Sequence, residues 1–588
     1  MGFRTFAKTK KMTALLTVLG VLLSLFLLTV SFYHNSFEVV GANWFRDWQN
    51  DSESLVTGRL IRSRQAGMGA DFGILQRDFH WEEENRFVSG AYVERFQYYP
   101  QQIGLQGMIF GALDRVIPLQ GNGMLQFLYL LNAFLLAAFI TLTALWARAK
   151  FGILSGVFLI LGSVFSPWLV VTARNLYWVT WTFLLPFVMV LYLHWLECHS
   201  GRVKSWHVLL VAFLGVFLRV ANGFEFVSAV LISTLLPVIF YAVSERWTFR
   251  QFFRRSLLVG LGGLGAFFAA VGVNLWQRSM LLDGLGAGFS HLQRNVFQNT
   301  GAAFLDPEAI EGVAPVFDGP ILTVIHAYFH RGNPLVLDYR MGELFLFLLM
   351  LTLGIFLHKT YAPAIHENRR RLLALALTIY ASLLGPISWF ILAKSHSYVH
   401  RHINYFLWFF PGVLLLFALF GAVVSGLLKG LWQMHRETWK RCAIVAIACV
   451  AFLWPLLRFY QAWDWGEHTQ QLRQAQAQGL VLHREGGLDV IHHDNALFYV
   501  VQRGADTSVK FFLHATPLDG EERPFEREFE FSANEISLPF WRAYDVAKRP
   551  LPDWEIETLL TGQFDDSGRL WEISVNLQSS KNEEAGHD

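Results

Sequence analysis

Residues 13–30 read TALLTVLGVLLSLFLLTV, and this stretch decides the class of fold. No charge interrupts it, and about 20 such residues in a helix cross the ~30 Å hydrocarbon layer of a bilayer. Arg4, Lys8, Lys10 and Lys11 precede it, and Phe32-Tyr33-His34 follows. A secretory signal shares the basic start but has a shorter apolar core and a small-residue cleavage site. The bulky exit predicts an uncleaved spanning helix whose N-terminus stays in the cytoplasm.

The same reading extends along the chain. Apolar runs fall near 123–146, 151–171, 179–196, 206–221, 226–243, 257–277, 341–357, 372–393, 405–428 and 441–460. With the first, these predict about eleven spans. The 588 residues are 53% hydrophobic and 16% charged, against ~25% charged in soluble proteins, which excludes an ordinary soluble enzyme. The net charge of +2 is spread between apolar runs, so no nucleic-acid patch is implied. Cys198 lies in a polar connection, and Cys442 and Cys449 lie in or beside a late apolar run, which implies no disulfide framework.

From a cytoplasmic N-terminus, every second connection should be basic. Those connections carry Arg148 and Lys150; Arg202 and Lys204; Arg246, Arg250, Arg254 and Arg255; Lys359 and Arg369 to Arg371; and Lys429, Arg436, Lys440 and Arg441. The alternation supports a multi-pass protein of the inner (cytoplasmic) membrane, with the region after Tyr460 outside the cytoplasm. The opposite connections include two long ones, 34–122 and 278–340.

The chain leaving the first span is Asn43-Trp44-Phe45-Arg46-Asp47-Trp48-Gln49-Asn50-Asp51-Ser52-Glu53, with Gly58-Arg59 after it. Acids at a membrane boundary are costly unless something uses them. In an extended segment Asp51 and Glu53 would face the same way. Such a pair would bind a divalent cation, Mg2+ or Mn2+, beside a phosphate leaving group, or one acid would deprotonate a hydroxyl. The competing reading is a helix start, with Asp51 as cap and Glu53 in the first turn. Spacing alone does not choose between them. Beyond this stretch the external loop is long and irregular, but Tyr98 to Ile117 shows apolar residues at helical spacing, which predicts a helix on the membrane surface.

Further polar groups gather at Lys394-Ser395-His396-Ser397-Tyr398-Val399-His400-Arg401-His402-Ile403-Asn404. On a helix His396 and His400 share a face. With Lys394, Arg401 and His402 they would hold phosphate oxygens. A metal site without an acid is a weaker reading, and a solvated interfacial loop is a third. Arg219 and Glu225 flank a short external turn and would pair with each other or with substrate. Arg174, one external turn earlier, would complement a phosphate or anchor a helix end by snorkelling. The 278–340 connection, with His326, His330, Arg331, Asp338 and Arg340, would serve as a lid. No Walker loop, GxSxG elbow or HExxH pair occurs. From about 479 the runs Phe498–Val501, Val509–Ala515 and Leu570–Val575 are β-type and separated by turn clusters, which predicts a small all-β domain.

An acidic motif directly after the first span, about eleven spans and a β-rich external tail together resemble the GT-C class of integral-membrane glycosyltransferases. Asp51-Ser52-Glu53 fits the form of that class's modified acidic motif. The segments Asn175–Val179, Lys394–Asn404 and Phe512–His514 also look like bacterial membrane proteins of this kind. The resemblance implies a GT-C-like polytopic helical domain over 1–460, a linker at 461–478 and an extracytoplasmic β-rich domain at 479–588. It further implies transfer of a sugar from a polyprenyl-phosphate-linked donor to an envelope glycan, lipid or protein acceptor. Asp51 would be the base, Glu53 a metal or activating ligand, and Asp47 a reserve candidate. A transporter or flippase of lipid-linked saccharides, or an O-antigen-type polymerase or ligase, are the alternatives. Few charges fall within the spans and no internal repeat is seen, which weighs against a transporter.

Overall fold

A computed structural model describes residues 2–40, 45, 52–78, 83–282, 284–300, 321–326, 328–329, 335–336, 339–357 and 363–433, together with strands in the C-terminal part. Among the described residues, eight helices are long and apolar enough to cross a membrane: Leu15–His34, Gly121–Phe151, Trp181–Ser200, Ser205–Asn222, Val227–Ser244, Phe249–Leu281, Asn368–Leu392 and Tyr405–Leu428. The chain is a polytopic helical membrane protein. It divides into two units, Met1–Ser397 with Tyr405–Ala448, and Tyr398–Asn404 with Cys449–Asp588.

In the first unit the elements that concern the site are α1 (Gly2–His34), α2 (Glu53–Ala66), α3 (Leu105–Val116), α4 (Gly121–Phe151), α5 (Ile153–Val164), α6 (Trp181–Ser200), α7 (Ser205–Asn222), α8 (Val227–Ser244), α9 (Phe249–Leu281), α10 (Leu285–Thr300) and α11 (Gly412–Gln433). Small residues let the long helices close on one another, as expected where lipid gives no hydrophobic incentive to associate. A Cβ on Gly421 of α11 would lie 2.4 Å from the Leu154 carbonyl oxygen of α5, and one on Gly262 of α9 would lie 2.5 Å from that of Leu209 in α7. Ser155 of α5 also donates to the Ala418 carbonyl of α11 at 2.7 Å.

The expected span at 151–171 is broken. α5 ends after 12 residues, Ser166 is extended, and Pro167 opens a separate short helix, Pro167–Thr172. Proline has no N–H to continue the helical ladder and holds the preceding residue out of the α region. The run at 341–357 forms the shorter helix Met341–Leu357, and the run at 441–460 lies outside the described residues.

The connection after α1, expected to be irregular, forms a folded layer over its described residues. α2 packs on a hairpin of β1 (Leu75–Asp78) and β2 (Phe96–Tyr99), paired antiparallel with Leu75 opposite Tyr99. The fit is close enough that a Cβ on Gly58 would lie 2.1 Å from the Gln76 carbonyl oxygen. Between helix and hairpin, Asp71 and Phe72 hold positive φ of 51° and 55°. Arg59 donates to the Ala70 carbonyl at 2.7 Å and to that of Met68. Arg62 pairs with Asp71 at 2.7 Å. Burial raises the Asp71 pKa, but hydrogen bonds from Arg62, Gln76 and Tyr98 with the Arg62 charge outweigh it and hold the carboxyl below its usual value. The helix expected after Tyr98 is α3, with Gln106, Gly107, Phe110 and Gly111 turned inward.

In the second unit the described strands form two antiparallel sheets. β3 (Val481–Glu485), β4 (Leu488–His493), β5 (Leu497–Gln502) and β8 (Tyr544–Asp545) make one in that order. β7 (Phe525–Phe531), β6 (Val509–Pro517) and β9 (Trp571–Ser579) make the other, with β6 central. The three runs singled out in the sequence fall on β5, β6 and β9. The connections between these strands lie outside the described residues.

The α5–α11 contact gives a direct test. Gly421→Ala has to push two backbones apart and should cost about 1–3 kcal/mol, seen as a lower unfolding temperature in lipid nanodiscs. Gly20→Ala, where a Cβ meets nothing within 4 Å, should leave that temperature unchanged.

Candidate functional site

The site is built on a buried connection. After the Pro167–Thr172 helix the chain runs through Ala173 to Thr180 before α6, and Asn175, Leu176 and Thr180 are fully buried. A loop at such depth must satisfy its own backbone polar groups. The Asn175 side-chain oxygen accepts from the backbone N–H groups of Tyr177 and Trp178, both at 2.9 Å. That side-chain turn is the local preference of asparagine. Thr180 Oγ1 donates to the Thr172 carbonyl at 2.7 Å, which closes the base of the loop.

The next N–H, that of Leu176, donates to Glu53 Oε1 at 2.6 Å, and the Tyr129 hydroxyl of α4 donates to Glu53 Oε2 at 2.8 Å. Glu53 is the first residue of α2 and is only 4% exposed. Both its oxygens therefore tie the start of α2 to the core. Ser52, between the two acids of the motif, sits at φ 58° and ψ 1°. The extended geometry that would turn Asp51 and Glu53 the same way is not present at that residue, and Glu53 follows the helix-start reading instead.

One residue on, the Tyr177 hydroxyl donates to Glu225 Oε1 at 2.8 Å, with the Tyr99 hydroxyl 3.4 Å away. Burial first, then the Glu225 charge and Tyr99, push the Tyr177 pKa well above its ordinary value, so it remains a donor. Arg219 donates to the Glu225 carbonyl at 3.2 Å, and its guanidinium lies 3.8 Å over the Phe183 ring. Gln106 of α3 donates to the carbonyls of Asn222 at 2.8 Å and Tyr177 at 3.3 Å. From α9, Asn274 donates to the Pro100 carbonyl at 3.2 Å, and Arg278 donates to Asn274 Oδ1 at 2.7 Å. Arg278 Nη1 lies 2.9 Å from His291 Nδ1 on α10. Arginine can only donate, so Nδ1 accepts and the ring is neutral. Burial, then the charges of Arg278 and Arg294, push the His291 pKa down to about 4.

Of the residues singled out in the sequence, Arg219 meets Glu225 through its backbone carbonyl, where a pairing of the two side chains was expected. Arg174 donates to the Tyr33 carbonyl at the end of α1 at 3.2 Å, and its guanidinium stands 4.0 Å over the Phe45 ring. That is an anchoring role. Lys394 and His396 lie on a helical turn, Lys394–Val399. The His396 ring packs against Trp389 at 5.6 Å and Phe226 at 6.0 Å. His400 precedes the turn Arg401–Asn404, and burial pushes its pKa down to about 4. The side chains of Arg401 and His402, and all of Asp47, Asp51, His330, Arg331 and Asp338, lie outside the described residues.

Each oxygen of Glu53 accepts one hydrogen bond, and its partner in the expected cation pair, Asp51, lies outside the described residues. Among the described residues no group of three or more His, Cys, Asp or Glu could hold an ion.

Tyr129 and Arg278 were not singled out in the sequence, and Gln102 and Tyr177 stood there only within stretches given no role of their own. A signal existed for Arg278: Asn274, Gln277 and Arg278 recur at helical spacing on one face of an apolar run. The glutamines at 101, 102 and 106 were likewise polar intrusions in an apolar pattern.

Replacing Glu53 with alanine strands the Leu176 N–H and should destabilise the protein by about 3 kcal/mol, whereas Tyr129→Phe should cost about 1 kcal/mol; unfolding temperatures in nanodiscs report both. His291 is neutral when folded down to about pH 4, but protonates near pH 6.5 when unfolded. Its contribution is therefore complete above pH ~6.5 and is lost as pH falls toward 4. The unfolding temperature should drop over that window, and His291→Gln should shrink the drop. No protein-family model matches this chain, and neither a curated protein nor a solved structure matches it.

Proposed function

We propose that the protein is a GT-C-type glycosyltransferase that moves a sugar from a polyprenyl-phosphate donor to an envelope glycan, lipid or protein acceptor on the external face of the inner membrane. The observation that carries the reading is the tether of Glu53. The second acid of the Asp51-Ser52-Glu53 motif is bound to the Leu176 N–H and the Tyr129 hydroxyl, which gives the first external loop a fixed origin two residues from Asp51. Catalysis by positioned groups needs such fixity, because small misplacements cost large factors in rate. The alternating basic connections support the orientation, with the external loops and the C-terminal strands outside the cytoplasm. The strands there would contact the acceptor.

In this mechanism Asp51 takes the proton of the acceptor hydroxyl as that oxygen attacks the anomeric carbon. The bond from that carbon to the carrier phosphate breaks, and the phosphate leaves with both electrons. Glu53 positions and does not react. No step is assigned to a cation.

General-base removal typically costs 10²–10⁴-fold in rate. Asp51→Asn should therefore lower sugar transfer from a short polyprenyl-phosphate hexose by at least about 100-fold, measured as product formation in proteoliposomes. Undiminished transfer would overturn the assignment of Asp51. Carrier movement across the bilayer without transfer would favour a flippase.

A further inference from the structure

At one end of the helices the charges do not balance. The end of α6, the link to α7, the end of α8 and the start of α9 carry Arg202, Lys204, Arg246, Arg250, Arg254 and Arg255 against Glu197 and Glu245. Both acids are already engaged. Glu197 accepts from Arg255 and lies 2.8 Å from His194, and Glu245 meets Lys150 of α4 at 3.4 Å. Among the described residues no acid pairs with the other five cations, and all five are exposed. Arg254 donates to Ser205 Oγ, which brings the cationic start of α9 against Lys204 and the start of α7. Like charges gathered in this way repel one another, so an anion that covers them lowers the energy of the surface.

The same two helices carry apolar stripes that begin at the cations. On α9 the exposed residues Phe253, Leu257, Leu261 and Leu264 recur at helical spacing. Arg250 and Arg254 each follow an exposed ring, Phe249 and Phe253, and those rings stack at 6.2 Å. On α7 the exposed residues are Trp206, Leu210, Leu214 and Leu218. The helices touch where Gly262 of α9 meets the Leu209 carbonyl of α7. From Phe253 to Leu264 the stripe covers ~16 Å of helix, close to one leaflet's half of the ~30 Å hydrocarbon layer.

A soluble anion would neutralise the cations and leave the stripes bare, whereas a neutral lipid would cover the stripes and leave the cations. An anionic phospholipid does both. The long arginine side chains can carry their charge to the headgroup level while their stems stay on apolar surface, and Trp206 has the amphipathic ring that suits that level.

We infer that the adjoining starts of α7 and α9 bind an anionic phospholipid, its phosphate held by Arg250, Arg254 and Lys204 and its acyl chains lying along the two stripes. This surface is separate from the Glu53 anchor, and its basis is independent of the glycosyl-transfer reading.

The test is native mass spectrometry of the full chain, titrated with phosphatidylglycerol or with phosphatidylcholine of the same acyl chains and read as the apparent Kd of the first lipid bound. The wild-type protein should prefer phosphatidylglycerol. Arg250→Gln combined with Arg254→Gln should weaken phosphatidylglycerol about 25-fold, since each cation beside an anionic lipid contributes about fivefold, and should leave phosphatidylcholine unchanged. Both arginines are exposed, so the unfolding temperature of this variant should stay near wild type. Arg370→Gln with Arg371→Gln removes the same charge from exposed positions on the helix Pro363–Ser382 and should leave the phosphatidylglycerol Kd unchanged. Equal affinity of the wild-type protein for the two lipids overturns the inference. So does a preference that survives the first double substitution, or one that falls equally in the second, which would show diffuse attraction alone. Displacement of phosphatidylglycerol by soluble glycerol phosphate would also overturn it, because the apolar stripes would then have no part in binding.

Discussion

The structure depends on how one buried connection satisfies its backbone. Residues 173–180 run through the interior without being helix or strand, where each unpaired N–H would cost about 1–3 kcal/mol. Asn175 closes the turn on itself, and the two residues after it reach in opposite functional directions. Leu176 gives its N–H to Glu53, and Tyr177 gives its hydroxyl to Glu225. Two acids far apart in sequence are thus held by consecutive residues. Displacing this loop would move both at once.

Arginines do for the connection after α1 what long secondary elements do elsewhere. Arg59 collects the carbonyls of Met68 and Ala70, Arg115 takes that of Ser63 at 2.7 Å, and Arg64 takes that of Phe87 at 3.2 Å. Arg64 also meets Asp114 through two hydrogen bonds of 2.7 and 2.8 Å. The forked guanidinium reaches several acceptors at fixed angles, and lysine would not replace it. Much of the positive charge in the loop therefore serves its architecture.

Span length was legible because bilayer thickness sets it, and the long apolar runs all fall on helices where they are described. The break at Pro167 was legible in principle, since Ser166-Pro167 carries the rule against helix continuation, but run length hid it. The motif Asp51-Ser52-Glu53 includes the residue that opens α2. Its geometry was not legible, because Glu53 finds its partner more than 120 residues away at Leu176, and Ser52 sits in the left-handed region. Arg174 and Arg219 were visible as charges, yet whether a guanidinium meets a phosphate, a carbonyl or a ring is decided by tertiary packing.

The shortness of α5 has a consequence for the lipid. Twelve helical residues reach only ~18 Å, well below the ~30 Å of hydrocarbon that a bilayer offers. Chain that is neither helix nor closed sheet is tolerated at that depth only when protein surrounds it, which is the condition the buried connection meets. On the flank where α5 ends, the membrane has to thin or the neighbouring helices have to stand in for it. Such mismatch costs fractions of a kcal/mol per ångström. The protein would thus feel bilayer thickness on the side of the molecule where the Glu53 anchor lies, and lipid composition becomes a variable acting on its stability there.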